Sequence, residues 1–293
     1  MTEIRSPSGR PYFVSSEIGR GGFGVVVAAS DKSGAKLAIK FRCVPQAGLE
    51  LRRVAERELA PWVSGGYHPN IVTIRDWFVC QGQWLAIVME RAQGSLADQL
   101  NAGASFEAWR VCDIGGQALL GLNRLHSLGY VHMDVRPCNL LRFPDGVIKL
   151  SDFGIVKDLF APDCGACECT CYESYKPPEV LLGGRGAARI QCDVYQLGMT
   201  LLTLMLGRSV IPSWASAMQK RRMILDGVPR TAAEQIAAGH SRYAPVASVV
   251  AIMLRRRWIW RHANCLDMAH WFIGTSRTLL QRHLFDDGML PSN

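Results

Sequence analysis

The sequence predicts an α+β fold, with strands gathered in the first third of its 293 residues and helices in the rest. Three observations carry this. Four strand-like runs, Tyr12 to Ser15, Val25 to Ala29, Leu37 to Lys40 and Trp84 to Met89, all precede residue 92; short apolar runs of this kind suit buried strands. One segment among them, Leu49 to Val63, has helix-forming composition with charged residues at helical spacing. Further on, Val194 to Leu206 is an apolar stretch that reads as a buried helix and is too short to cross a bilayer.

Taken in order, the first two strands are joined by Ile18-Gly19-Arg20-Gly21-Gly22-Phe23-Gly24-Val25-Val26. Glycines there let the backbone lie flat over phosphates and present N–H groups with no Cβ in the way, although a plain hairpin uses glycine in the same place. The third strand ends in Lys40, sixteen residues after Gly24. The helical segment holds Glu50, Glu56 and Glu58, and Pro61 in its last turn removes a hydrogen bond or ends it early. The fourth strand leads into Glu90-Arg91-Ala92-Gln93-Gly94-Ser95-Leu96, and Asp193-Val194-Tyr195-Gln196-Leu197-Gly198 opens the later apolar helix.

His132-Met133-Asp134-Val135-Arg136-Pro137-Cys138-Asn139, followed by Asp152-Phe153-Gly154, resembles the catalytic and metal-binding loops of the protein kinases. The upstream motifs fall in the order that family uses, and the resemblance covers nearly the whole chain. It implies a bilobal fold over residues 12–283, with terminal extensions at 1–11 and 284–293. Residues 12–92 would form a small antiparallel β-rich lobe with one long helix, and 93–283 a larger, mainly helical lobe, with nucleotide between them. The implied activity is transfer of the γ-phosphoryl of ATP, with Mg²⁺, to serine or threonine hydroxyls of protein substrates.

The same resemblance assigns roles. Asp134 would accept or orient the substrate hydroxyl proton, Arg136 would face the γ-phosphate, and Asn139 and Asp152 would bind Mg²⁺. Ile18, Gly19, Gly21, Gly24 and Val26 would contact nucleotide from the glycine-rich turn. Ala38 would form part of the adenine ceiling, and Lys40 would reach the α- and β-phosphates. Glu58 would hold Lys40, with Glu56 the alternative, and Trp62 would join an apolar stack linking the lobes. Met89 would be the gatekeeper, with backbone groups of Glu90 and Ala92 meeting the adenine edge. His132 is expected beneath the metal-binding loop with Phe153 stacked on it, and Glu179 is expected to pair with Arg261.

Several positions depart from the family pattern. Met133 stands where kinases switched by activation-loop phosphorylation carry an arginine, so activity independent of such phosphorylation, or control by other means, is expected. Arg136 replaces the usual lysine, keeping the charge but changing reach and fork geometry. Cys171-Tyr172 occupies the place of a Gly-Thr pair, whereas Pro137 is of the Ser/Thr type. The presence of Lys40, Asp134, Asn139 and Asp152 favours an active enzyme. The alternative is a pseudokinase scaffold that binds nucleotide and partner proteins without efficient turnover.

Cys164, Cys167, Cys169 and Cys171 place four thiols within eight residues. They could ligate Zn²⁺, act as a redox switch, hold a metal with a partner chain, or be incidental. No apolar run reads as a secretory signal, so a cytoplasmic location is expected, with the ten cysteines reduced, buried or metal-bound rather than paired. The formal charge of +8 and the run Arg255-Arg256-Arg257-Trp258-Ile259-Trp260-Arg261 raise a strand-binding surface. Arginine far outnumbers lysine throughout and Arg261 is committed elsewhere, so no specific nucleic-acid partner is expected; attraction to acidic proteins or membrane surfaces remains, without specificity. No membrane span is expected, and oligomeric state is not legible.

Overall fold

A computed structural model describes residues 2–22, 24–43, 55, 59–60, 64, 66–80, 84–160, 172–183, 187–239 and 241–286. The first part is a six-stranded antiparallel sheet. Its strands are β1 (Thr2–Arg5), β2 (Pro11–Gly21), β3 (Gly24–Asp31), β4 (Lys36–Cys43), β5 (Ile74–Cys80) and β6 (Trp84–Glu90), in the order β1-β2-β3-β4-β6-β5. The four predicted strand runs lie within β2, β3, β4 and β6. β1 precedes the expected domain start at Tyr12 and adds an edge strand to its sheet, pairing Ile4 with Tyr12.

Alternation along the strands sends side chains to two faces. Leu37 and Ile39 of β4 and Ala86 and Val88 of β6 join Tyr12, Ala29 and Phe78 in one apolar cluster. The intervening Leu85 and Ile87 pack with Ala55 and Leu59, which are helical. Lys40 and Ala38 therefore stand on the face opposite Ile39. Lys40 pairs with Ile87, and Ala38 with Met89.

The second part is mainly helical. It begins with β7 (Gly94–Ser95), α1 (Leu96–Asn101) and α2 (Ala108–Ser127), continues through β8 (Tyr130–Val131), β9 (Leu140–Arg142), β10 (Ile148–Leu150) and β11 (Lys157–Asp158), and then becomes helical. The later helices are α3 (Pro178–Gly183), α4 (Ile190–Leu206), α5 (Ala217–Leu225), α6 (Val228–Ala238), α7 (Ala244–Met253) and α8 (Cys265–Asp286). Its core joins α2, α4, α7 and α8 through residues such as Leu119, Leu122, Leu201, Val250 and Phe272. α4 is apolar nearly all round, as a helix enclosed by others must be, and among its residues Asp193, Gln196, Thr200 and Thr203 are buried.

The two parts are stitched at one edge. Leu150 donates its N–H to the Asn70 carbonyl and accepts from Val72 N–H, both at 2.9 Å. Beside this, Lys149 Nζ donates to both carboxylate oxygens of Glu90, at 2.7 and 2.9 Å, and lies 4.6 Å from the Phe143 ring centre. Glu90 Oε1 also accepts from Thr73 N–H at 2.7 Å. The chain thus crosses from sheet to helices with its connecting segment held by a buried charge pair. The shape is the bilobal α+β one expected from the sequence.

Candidate active site

Lys40 reaches across the lobe boundary from the middle of the sheet. Its Nζ donates to Asp152 Oδ1 at 2.8 Å, with the lysine side chain nearly enclosed. Burial pushes the Asp152 carboxyl up, but the Lys40 charge, its hydrogen bond and the Gly154 N–H outweigh that and hold it below the ordinary carboxylate range. Asp152 adopts φ +62, in the left-handed region. Non-glycine residues hold such a conformation where their surroundings over-determine it.

Met133 is a second such residue, at φ +66, and here the surroundings are explicit. Asp193 of α4 accepts from His132 N–H through Oδ2 and from Met133 N–H through Oδ1, both at 2.8 Å. One turn on, Gln196 accepts from Val135 N–H at 3.0 Å and donates to the Met133 carbonyl at 2.8 Å. Thr200 donates to the Val135 carbonyl at 3.1 Å. Spacings of three and four residues put these side chains on one stripe of α4. His126 of α2 closes the group, its Nε2 lying 2.8 Å from Asp193 Oδ2.

Above this frame, Asp134 and Asn139 face each other. Asn139 Nδ2 donates to the Asp134 carbonyl and to its Oδ2, at 2.9 and 2.8 Å, which fixes the carboxylate plane. Arg136 Nε donates to the same Oδ2 at 3.2 Å. Asp134 Oδ1 lies 3.1 Å from Arg136 Nε, yet it is buried and accepts no hydrogen bond among the described residues. Burial opposes the Arg136 charge, but Asp134 and further acidic neighbours hold its pKa above the ordinary value. The Asn139 donors point at Asp134, so its amide oxygen, met by the Cys138 thiol at 3.3 Å, is turned the other way.

His132 and Phe153 have ring centres 5.0 Å apart, tilted by 49°. His132 Nδ1 accepts from Asp134 N–H at 3.2 Å, which places the ring proton on Nε2, 3.1 Å from the Ser151 carbonyl. Glu179 and Arg261 form a buried two-bond pair at 2.7 and 2.9 Å. Glu90 donates its N–H to the Thr73 carbonyl at 3.1 Å, so of its backbone groups the carbonyl is the candidate for an incoming ligand.

Gly19, Gly21 and Gly24 lie on the β2–β3 hairpin, with Gly21 paired to Gly24 and Gly19 to Val26. Gly24 is the position that demands glycine: at φ +132, an added Cβ would sit 2.0 Å from the Phe41 carbonyl oxygen.

Residues 12–270 match the family described as the protein kinase domain. This chain belongs to the protein kinase family. The kinase domain is 30% identical over 203 residues to Ribosomal protein S6 kinase alpha-2 of Mus musculus, covering 67% of this chain and 26% of that protein. It is 31% identical over 205 residues to Calcium/calmodulin-dependent protein kinase type 1B of Homo sapiens, covering 67% and 57%. Against Mitogen-activated protein kinase 15 of Xenopus laevis it is 27% identical over 263 residues, covering 86% and 43%. The kinase thus spans between a quarter and three-fifths of the length of these relatives.

The structure brings Lys40 to Asp152 and Asp134 to Arg136 and Asn139, with Ala38 and Met89 paired behind them. Glu58, Glu56 and Trp62 lie outside the described residues, as do Cys164, Cys167, Cys169 and Cys171. Among the described residues no group of three or more His, Cys, Asp or Glu is placed to hold a metal ion, and no helix is long and apolar enough to cross a membrane. Cys138, next to the site, is a poor nucleophile, since burial pushes its thiol up to about 12.

Resemblance to kinases placed the 193–198 segment beneath the catalytic loop, but sequence reading assigned no role to the Gln196 side chain and missed Thr200. Their signal was present: polar side chains at positions three and seven past Asp193 in a helix otherwise apolar.

Proposed function

We propose that the chain is an active protein kinase that transfers the γ-phosphoryl of Mg-ATP to serine or threonine hydroxyls of proteins. One observation carries the reading most directly: the buried carboxylate of Asp134, held in orientation by Asn139 and charge-paired with Arg136. A carboxylate fixed in this way can orient a substrate hydroxyl and receive its proton during transfer. Asp134 would take it from the substrate hydroxyl, with Oδ2 fixed by Asn139 and Arg136. Arg136 and Lys40 would set positive charge where negative charge collects during transfer.

The donors fit a hard cation. The Asp152 carboxylate and the outward amide oxygen of Asn139 are oxygen ligands of the type Mg²⁺ takes one or two at a time, alongside phosphate oxygens. When bound, Mg²⁺ would neutralise the phosphate charge. The Glu90 carbonyl and the Ala92 backbone would meet the adenine edge, with Ala38 over the ring. Gly19, Gly21 and Gly24, with Ile18 and Val26, would cover the phosphates.

Serine or threonine specificity is supported by Pro137 in the catalytic loop. Activity without activation-loop phosphorylation is supported by the surroundings of Met133. Its side chain is 1% exposed and packs with Val131, Val180 and Cys192, an apolar cluster that holds no cation among the described residues.

Purified protein incubated with labelled ATP and Mg²⁺ should transfer label to serine or threonine of itself or a generic substrate. Asp134→Asn and Lys40→Met should each abolish transfer while leaving the fold intact, Lys40→Met with a lower unfolding midpoint because it strands the Asp152 carboxylate. Nucleotide binding without transfer by the wild type would replace this reading with a scaffold.

A further inference from the structure

Arg136 has a second neighbour besides Asp134. Its guanidinium carbon lies 5.3 Å from the centre of the Tyr172 ring. Lys220 Nζ of α5 lies 5.7 Å from the same centre. Both distances are within the range in which a cation is drawn to an aromatic face. Tyr172 is 43% exposed, so packing alone does not explain a large aromatic there. Its hydroxyl makes no hydrogen bond among the described residues; the ring is what is used.

The ring is held by the same helix that holds the catalytic loop. Tyr172 precedes the short 3₁₀ turn Glu173–Tyr175, and Tyr175 N–H donates to the Tyr172 carbonyl at 2.8 Å. Tyr175 is buried, and its hydroxyl lies 3.2 Å from Thr203 Oγ1. Thr203 continues the α4 stripe: Asp193, Gln196 and Thr200 set the loop bearing Arg136, and Thr203 sets the turn bearing Tyr172. A stretch of about three turns of one helix therefore fixes the spacing between guanidinium and ring.

We propose that Tyr172 is a positioning residue for Arg136, its ring confining the guanidinium so that the charge stays against Asp134 and the transfer site. The identity of both residues follows. Arginine presents a flat, weakly hydrated cation that stacks on an aromatic face, whereas a lysine ammonium is compact and strongly hydrated. A guanidinium held by Asp134 alone would pivot about Nε, the one of its nitrogens recorded against the carboxylate oxygens. The inference rests on the kinase reading above for its kinetic consequence, but the contact itself is tested without nucleotide.

The test has two arms on the full chain. In the first, the order parameter of the Arg136 Nε–Hε bond is measured by NMR without nucleotide for wild type, Tyr172→Phe and Tyr172→Leu. Wild type and the Phe variant should be rigid, near about 0.85, and the Leu variant should fall below about 0.6. Equal values in all three would overturn the proposal. In the second arm, Tyr172→Leu should lower kcat about 3- to 30-fold, a span set by the usual strength of such contacts. KM for ATP should stay within about twofold, because charge placement matters most in the transition state. Tyr172→Phe should restore most of the loss. Tyr172→Leu in an Arg136→Lys background should cost less than twofold, since the planar partner is already gone. Additive losses in that cycle would overturn the proposal. If wild type transfers no phosphoryl group, the proposed function fails while the order parameters still decide the role of Tyr172.

Discussion

Asp152 shows how one side chain's chemistry depends on a contact between lobes. Its carboxyl is lowered against the pull of burial because Lys40 lies 2.8 Å away. A group with a lowered folded pKa contributes stability that is present above the ordinary carboxylate range, about 4, and lost as pH falls through the folded value. Unfolding midpoints measured from pH 7 down to pH 2 should therefore drop less steeply for Asp152→Asn than for wild type. Parallel curves would mean that Lys40 does not lower the Asp152 carboxyl in the folded state. The contact was legible in part. Sequence motifs pointed to both residues, but nothing in sequence showed that they would touch each other. Arg136 and Tyr172 were legible only through the resemblance, which places a threonine at position 172 beside the catalytic-loop aspartate and lysine; that a ring would meet a guanidinium there was not, because an attraction between residues 36 positions apart leaves no spacing pattern.

At the scale of elements, α4 is the scaffold of the site. Gln196 satisfies two buried backbone groups, Val135 N–H and the Met133 carbonyl. Gln196→Leu would leave both unpaired, at about 1–3 kcal/mol each. The denaturant midpoint should fall with the slope unchanged, and kcat should fall with it as the φ +66 bend at Met133 relaxes. A midpoint equal to wild type would show that the loop is held by other means. The helix itself was readable from its long apolar run. β5 was not, because Arg75 and Asp76 interrupt it and Trp77 and Val79 point to solvent, leaving Phe78 as its buried side chain. β1 escaped for a similar reason: Thr2, Glu3 and Arg5 are exposed, and backbone pairing with β2 defines it. Edge strands draw on main-chain hydrogen bonds that composition does not record.

For the whole molecule, the Glu179–Arg261 pair ties residues 82 positions apart. Arg261 also donates to the carbonyls of Gln191, Arg255 and Arg256 and lies 4.8 Å from the Tyr195 ring centre. The Arg261 side chain is 0% exposed, so removing it strands a buried carboxylate. Arg261→Ala should cost about 3–5 kcal/mol of stability, whereas replacing both partners by apolar residues of similar volume should cost much less. Chemical denaturation of the single and double variants checks this, and equal losses in the two would overturn it. The bilobal plan and this pairing were legible through resemblance to kinases, since no local pattern links positions so distant. Arg189 resting 4.1 Å from the Trp258 ring was not, because it pairs a helix N-cap with a 3₁₀ turn met far along the chain.

Mounting the catalytic loop and the Tyr172 turn on a single rigid rod has a mechanical consequence. Because α4 holds both fittings, a displacement of that helix would carry them together and leave their separation unchanged. Under the proposed function, nucleotide exchange at the lobe boundary would leave the distance between Arg136 and its aromatic stop unchanged.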